Sequence, residues 1–262
     1  MTSTSIPIIT VLFLLALTAP SGGLISGIAS TIQLDGWTWE DMTLSAAGGL
    51  YINWPAVSPA SAWLVKGPAK DQLKIRDRRL GELNRVFEAA RAYSTARAAR
   101  GHRQPIDARL EALLPVLRGE LPVIARAETI QTIQSAVTFA ERQGIRLIIH
   151  GGHDAPLCAA LLKKHEVPVI LRSVYRLPRR RSEPYDHRYT LPKRLSEAGI
   201  EFAISGSPTA RTAHMRNLPY HAAMAAAFGL SREEALEAIT LAPARILGVA
   251  ERVGSLEEGK DA

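Results

Sequence analysis

The sequence predicts an α/β fold, built from strand–helix units that curl into a (β/α) barrel, with a doubly wound parallel sheet as the alternative. Three observations predict it. Strand-like and helix-like segments alternate along the chain, the length of 262 residues suits one barrel domain, and from Leu121 onward the alternation becomes regular.

The first element is the apolar run Ile6–Ala19. It is shorter than the ~20 residues that a membrane-spanning helix needs. A secretory signal has an apolar region of this length but begins with positive charge, and here the first basic residue is Lys66. The run therefore reads as a buried parallel strand ending at Pro20-Ser21-Gly22-Gly23, with a signal region as the alternative. Ile28–Leu34 and Leu50–Trp54 are short apolar segments with glycine, proline and polar flanks, consistent with strands. Pro59, Gly67 and Pro68 then separate the strands from a long amphipathic helix, Lys70–Arg100, whose apolar face holds Leu73, Leu80, Leu83, Val86 and Phe87. Ile106–Leu117 reads as a second helix.

Beyond it, Leu121–Ala127 is a strand, Thr129–Gln143 a helix stopped by Gly144, and Ile145–His150 the next strand. Ala155–His165 is helical and Val167–Leu171 a strand, succeeded by an arginine- and proline-rich loop, Arg172–Tyr185. Helix Leu191–Ala198, capped by Gly199, leads to strand Ile200–Ser205, and helices Leu218–Phe228 and Arg232–Ile239 complete the pattern.

Composition narrows the function classes. With 47% hydrophobic and 22% charged residues the chain has the make-up of a folded globular protein rather than a disordered or fibrous one. Its formal charge of +7 is uneven: residues 1–65 hold no Lys or Arg and carry net −3, and the remainder carries net +10. The basic residues cluster in Arg97–Arg103 and Arg172–Arg181. Such clusters either form a solvated face or grip phosphates and acidic substrates. No aromatic residues are interleaved as in single-strand binding surfaces, so no nucleic-acid partner is expected. Cys158 is the lone cysteine, which excludes a disulfide framework and a cysteine-cluster metal site and fits a reducing, cytoplasmic compartment.

In such folds the functional residues lie at the carboxyl ends of the strands. That rule selects Asn53 and Trp54, Arg126 and Glu128, His150 with Gly151, Gly152 and His153, Arg172 and Ser173, and Ser205 to Ser207. His150 ends an apolar strand before two glycines and reads as a metal ligand, a general acid/base, or a histidine that merely hydrogen-bonds at a strand end. His153, three residues on, could join it near one ion or bind substrate. Glu128 suits either a site role or the start of a helix. Arg126 shares a side of its strand with Ile124, and its guanidinium suits a substrate carboxylate. Ser205-Gly206-Ser207 reads as a turn. The chain has no H-E-x-x-H, no G-x-S-x-G and no P-loop, so metalloprotease, α/β-hydrolase and nucleotide-binding readings lack motif support.

The C-terminal third resembles the end of the barrel in the amidohydrolase superfamily, closest to its imidazolonepropionase-like branch. The residues that carry the resemblance are Asn217-Leu218-Pro219, Ala222–Leu230-Ser231, Glu234–Thr240, Pro243–Gly248 and Gly254–Ala262. Upstream, Pro122–Ala127 resembles the family's fifth-strand pattern and Leu147–Gly151 its sixth-strand pattern, while Ile9–Pro20 resembles its second strand and Gly27–Pro55 the loop and strand after that one. The resemblance implies an incomplete TIM-type (β/α) barrel of the metal-dependent hydrolase kind, lacking most of the flanking β-sandwich. It implies a single, partial domain over residues 1–262, with the likeness strongest over 122–262.

The resemblance also implies hydrolysis of a carbon–nitrogen bond other than a peptide bond, through water activated by a divalent metal, zinc above all. Family members hold such ions with an H-x-H pair on strand one, histidines on strands five and six, and an aspartate on strand eight. Here no H-x-H exists, the fifth-strand position holds Arg126, and strand eight ends in Ser205-Gly206. His150 matches a ligand position; Arg126, Glu128, His153 and Asn217 become candidates for binding a small, carboxylate-bearing substrate. The expectation is either a piece of a longer enzyme or a divergent homologue, forming a homo-oligomer or exposing a sheet edge. A catalytically silent protein that binds an anionic ligand or partner is the alternative.

Overall fold

The protein is described from a computed structural model, for residues 8–12, 15–58, 68–99, 105–206 and 216–261, with backbone alone at 8–12. One sheet of eight strands runs in chain order, β1 (Ile8–Leu12), β2 (Leu15–Ala19), β3 (Ile25–Gln33), β4 (Thr43–Asn53), β5 (Val123–Ala127), β6 (Leu147–Gly151), β7 (Val169–Leu171) and β8 (Phe202–Ile204). The first four pair antiparallel and β4 to β8 pair parallel. The parallel half is the strand–helix barrel pattern that the sequence predicts, and the sheet as a whole is open at its β1 and β8 edges among the described residues.

The antiparallel half corrects the reading of Ile6–Ala19 as a single parallel strand. Two five-residue strands meet there, in a register that runs from Ile8↔Ala19 to Leu12↔Leu15. Nothing in the apolar run marks the reversal with Gly, Pro, Asn or Asp, so periodicity alone reads straight through it. Residues 6, 7, 13 and 14 lie outside the described residues.

Between the halves runs α2 (Ala69–Ala98), after the single turn α1 (Trp39–Met42). Leu83, Phe87, Ala90 and Tyr93 form the buried stripe of α2, one turn or so apart, as helical periodicity requires. The single helix expected over 106–117 is instead two turns, α3 (Ala108–Glu111) and α4 (Leu114–Leu117). Pro115 explains the break: it lacks an N–H and is tolerated in the first turn of a helix, not in the interior. The C-terminal half matches the prediction closely, with α5 (Ile130–Gln143), α6 (Ala159–Lys164) behind a 3₁₀ turn at Ala155–Cys158, α7 (Leu191–Glu197), α8 (Leu218–Ala227) and α9 (Arg232–Glu237), and adds a helix beyond the predicted pattern, α10 (Leu241–Ile246). Thr129 caps α5 in a reciprocal box with Thr132, and Gly144, at φ 62°, ends it in the left-handed conformation.

Alternation along the parallel strands sorts the side chains into two layers. Leu50, Ile52, Val123, Ala125, Ile149, Val169 and Leu171 pack under the helices against Phe87, Ile133, Phe139, Leu162 and Leu195. Phe139 is the hinge of that layer, edge-on to both Trp54 and Phe87 with ring centroids 5.4 and 5.1 Å away. The opposite, inner face carries Tyr51, Ile124, Ile148, Ile170 and Ala203 in a second cluster. Residues two further along the same strands leave this inner face at the carboxyl ends, and they form the candidate site.

Candidate active site

Strand register fixes the first row of the site. Asn53, Arg126 and His150 are direct neighbours across β4, β5 and β6, and Ile170 and Ala203 continue the row. His150 is buried, and its Nδ1 lies 2.6 Å from the hydroxyl of Tyr51, one row deeper on β4. Burial, with the Arg172 and Arg126 guanidiniums nearby, holds the His150 imidazole down at about 3. Burial also pushes the Tyr51 phenol up to about 12. Both groups are thus neutral at neutral pH, and one proton between Oη and Nδ1 serves both. The other ring nitrogen, Nε2, is sealed from solvent without a hydrogen-bond partner.

A second row is charged. Glu128 sits just beyond β5, where Arg172 Nη1 donates to its Oε1 at 3.2 Å; Arg176 approaches to 4.0 Å, and Arg188 lies 3.9 Å from Oε2. Arg188 is almost wholly buried, and burial lowers its guanidinium to about 10. Burial pulls Arg172 below its usual value too. Arg126 differs from these three: it is exposed and forms no ion pair with any described residue. One carboxylate thus meets three guanidiniums while Arg126 stands exposed near Arg172, so the mouth is electropositive.

Two glycines make the second row possible. Gly151, at φ 128°, closes β6 where an added Cβ would lie 2.7 Å from the Ala127 carbonyl oxygen and 2.9 Å from Glu128 Cδ. The Gly152 amide donates to Ala127 O at 2.8 Å and the Asp154 amide to Glu128 O at 2.9 Å, which ties the exits of β5 and β6 together.

Of the residues singled out in the sequence, the structure brings Arg126, Glu128, His150 and Arg172 to one mouth. His153 turns elsewhere: its Nε2 lies 2.8 Å from Oε1 of Glu183, in the loop after β7. Asn217 stands at the N-terminus of α8, half-buried, with no hydrogen bond to the other four. Ser205 is buried with its hydroxyl unpartnered, and Ser207 lies outside the described residues. Of the two basic clusters, Arg172–Arg181 feeds the mouth through Arg172 and Arg176, while positions 100–103 of the other lie outside the described residues. Sequence reasoning missed Tyr51, Arg176 and Arg188. Tyr51 was within reach of alternation, two residues before Asn53 on the same face, whereas Arg188 arrives from a loop with no periodicity to guide the eye.

His221, on α8, holds the loop after β7 from behind. It accepts from the Val174 amide at 3.3 Å, with the Tyr175 ring edge-on at 4.8 Å, and burial lowers its imidazole to about 4. A cavity of about 400 Å³ lies at the opposite end of the parallel strands, among Glu141, Arg146, His165, Glu201 and Arg245, and shares no residue with the mouth. In barrels of this kind that end serves stability. No helix among the described residues is long and apolar enough to cross a membrane.

Residues 135–262 match the Amidohydrolase family. An imidazolonepropionase of Syntrophobacter fumaroxidans is 40% identical over 76 residues, 29% of this chain and 18% of that protein. One from Erwinia tasmaniensis is 35% identical over 105 residues, 39% of this chain and 24% of that protein. The matched stretch thus spans about a quarter or less of these relatives. The crystal structure of an amidohydrolase from Thermotoga maritima superposes with a TM-score of 0.73 over 92% of this chain and 62% of that one, at 22% identity. The resemblance read over the C-terminal half and the incomplete TIM-type barrel it implies both hold, whereas Ile9–Pro20, likened to a single second strand of the barrel, is instead split between two antiparallel strands.

Proposed function

We propose that this chain, of the amidohydrolase superfamily and its imidazolonepropionase-like branch, binds a carboxylate-bearing small molecule at the mouth of its open barrel. The activity in which that binding serves is hydrolysis of a carbon–nitrogen bond other than a peptide bond. The observation that carries the reading is Arg126: an exposed guanidinium with no ion pair among the described residues, beside His150 in the row that faces the mouth. A carboxylate meets such a group bidentately. Arg172 reinforces the field while its own hydrogen bond to Glu128 keeps it in place. By their name the relatives act on an imidazolone that carries a propionate, which is a substrate of this chemical class.

The divalent ion that hydrolysis of this kind draws on does not fit the residues around His150. A catalytic zinc takes three protein ligands and leaves a position open. At this mouth His150 offers one free nitrogen, Glu128 is engaged by arginines, and Arg126 and Arg172 oppose a further positive charge. What the residues do on their own is bind and orient. Arg126 fixes the carboxylate, and Tyr51 holds the His150 ring so that Nε2 stays aimed along one line. Asn217 and His153 make no hydrogen bond with this row and take a supporting place in the reading. The missing ligand set specifically favours a second reading, in which the same mouth binds an anion without chemistry. Either way we take the chain as a single-domain, cytoplasmic protein without a nucleic-acid partner, able to associate with itself.

The test is calorimetric titration with short carboxylates and with cyclic amides bearing a propionate arm, for the wild type and Arg126→Ala, with hydrolysis of the cyclic amide monitored in parallel. Binding that weakens with salt and falls at least tenfold in Arg126→Ala supports the site. Equal affinity in both proteins removes it. Hydrolysis decides between the two readings.

A further inference from the structure

Away from the arginine-lined mouth, the exit of β6 and the loop after β7 bring two imidazoles and a carboxylate together. His153, Glu183 and His187 each place one ligand-type atom within 4.8 Å of the others. His153 is fully buried, and the two rings lie 4.6 Å apart, tilted by 35°. Nδ1 of His153 and Nε2 of His187 are both sealed from solvent and have no hydrogen-bond partner. Buried polar atoms are almost always satisfied, so two orphaned nitrogens on neighbouring rings call for an explanation.

The carboxylate is oriented for a purpose other than charge pairing alone. Oε2 of Glu183 accepts the backbone amides of Arg179 and Arg180 at 2.7 and 3.3 Å, which turns Oε1 toward His153. Arg180 spans Glu183 and Asp154, with Nη1 donating at 2.8 and 2.9 Å. Two carboxylates therefore face this one guanidinium, and Arg188, also near His153, is drawn to Glu128 on its other side. Such partners beside a ligand set fix ring and carboxylate orientation in metal sites.

We propose that His153, Glu183 and His187 form a binding site for a divalent transition-metal ion, with zinc suited by the two-imidazole, one-carboxylate donor set. The ion would pin the loop after β7 to the exit of β6, next to Arg188, and so shape the mouth without entering it. The inference stands apart from anion binding at Arg126, since either can fail alone.

The experiment titrates untagged, chelator-treated full chain with zinc, and with cobalt as a spectroscopic probe, while tracking the melting temperature. One equivalent bound, a rise in melting temperature and the visible bands of cobalt in a low-symmetry site are expected. His187→Ala, at a half-buried position, and Glu183→Gln should weaken uptake beyond the ~10–100-fold that loss of a supporting partner costs. His165→Ala, at the other end of the strands, should leave it unchanged. Absence of stoichiometric uptake by the wild type overturns the proposal. So does wild-type affinity in both His187→Ala and Glu183→Gln, or loss of uptake in His165→Ala.

Discussion

The Tyr51 hydroxyl and Nδ1 of His150 lie 2.6 Å apart in the buried floor of the mouth, joining two residues 99 positions apart in the chain. The contact is a product of register: Tyr51 aligns with Ile124 on β5, and His150 sits one row higher beside Arg126. Removing the hydroxyl leaves a ring nitrogen buried with nothing to bond. Tyr51→Phe should therefore cost ~1–3 kcal/mol, the usual penalty for an unsatisfied buried group. Urea denaturation measures it; a loss near zero would mean that the ring turns to another partner.

Two buried imidazoles outside the His153 cluster contribute to the acid response. His150, facing Tyr51, Arg126 and Arg172, is lowered to about 3, and His221, against Ser173 and Tyr175, to about 4. In the unfolded chain each takes up a proton at an ordinary value near 6.5. Below that pH the unfolded state holds more protons, so stability is complete above about pH 7 and falls as the pH drops toward 4. Each histidine should contribute up to about 2 kcal/mol of loss at pH 5. Denaturation at pH 7.5 and 5.0 checks it, and His221→Phe should flatten the difference between them.

Glu128 holds the arginine cluster together, and its removal should move stability and binding in opposite directions. Glu128→Gln takes the counter-charge from Arg172 and from the almost wholly buried Arg188, so stability should fall by ~3 kcal/mol. The mouth meanwhile becomes more positive, and affinity for a small carboxylate should rise. Thermal melts and calorimetry on the same preparation read both, and a parallel fall would place Glu128 in ligand contact instead.

How much of this was legible in the sequence depended on whether the signal was local. Strand β6 and its histidine, the capped helix α5 and the strand-end position of Arg126 are all set by periodicity and flanking residues within one window. Pro115 was legible as well, but its effect on the helix around it depends on where the chain chooses to restart. The β1–β2 reversal carried no turn residue, so the apolar run concealed it. The arginine cluster was legible as composition and not as geometry: Arg172–Arg181 reads as a basic loop, while its convergence with Arg188 on Glu128 is set by tertiary packing. His153 was placed at the mouth by proximity to His150, yet the left-handed glycines between them redirect the chain toward Glu183.

That redirection gives the last prediction. Gly151 needs its hydrogen side chain twice over, for φ 128° and for the 2.7 Å that would separate a Cβ from the Ala127 carbonyl oxygen. The second demand is the costly one, because the obstacle is backbone held in β5 and cannot rotate aside. Gly119, at φ 74° with nothing within 4 Å, isolates the first demand. Gly119→Ala should cost ~1 kcal/mol, the left-handed penalty alone, and Gly151→Ala clearly more. Since relief of the clash separates the exits of β5 and β6, Gly151→Ala should also displace Glu128 from Arg172 and alter carboxylate binding, which Gly119→Ala should leave untouched. Equal losses in the two variants, by chemical denaturation and calorimetry, would show that the close approach of the two strands contributes nothing to the site.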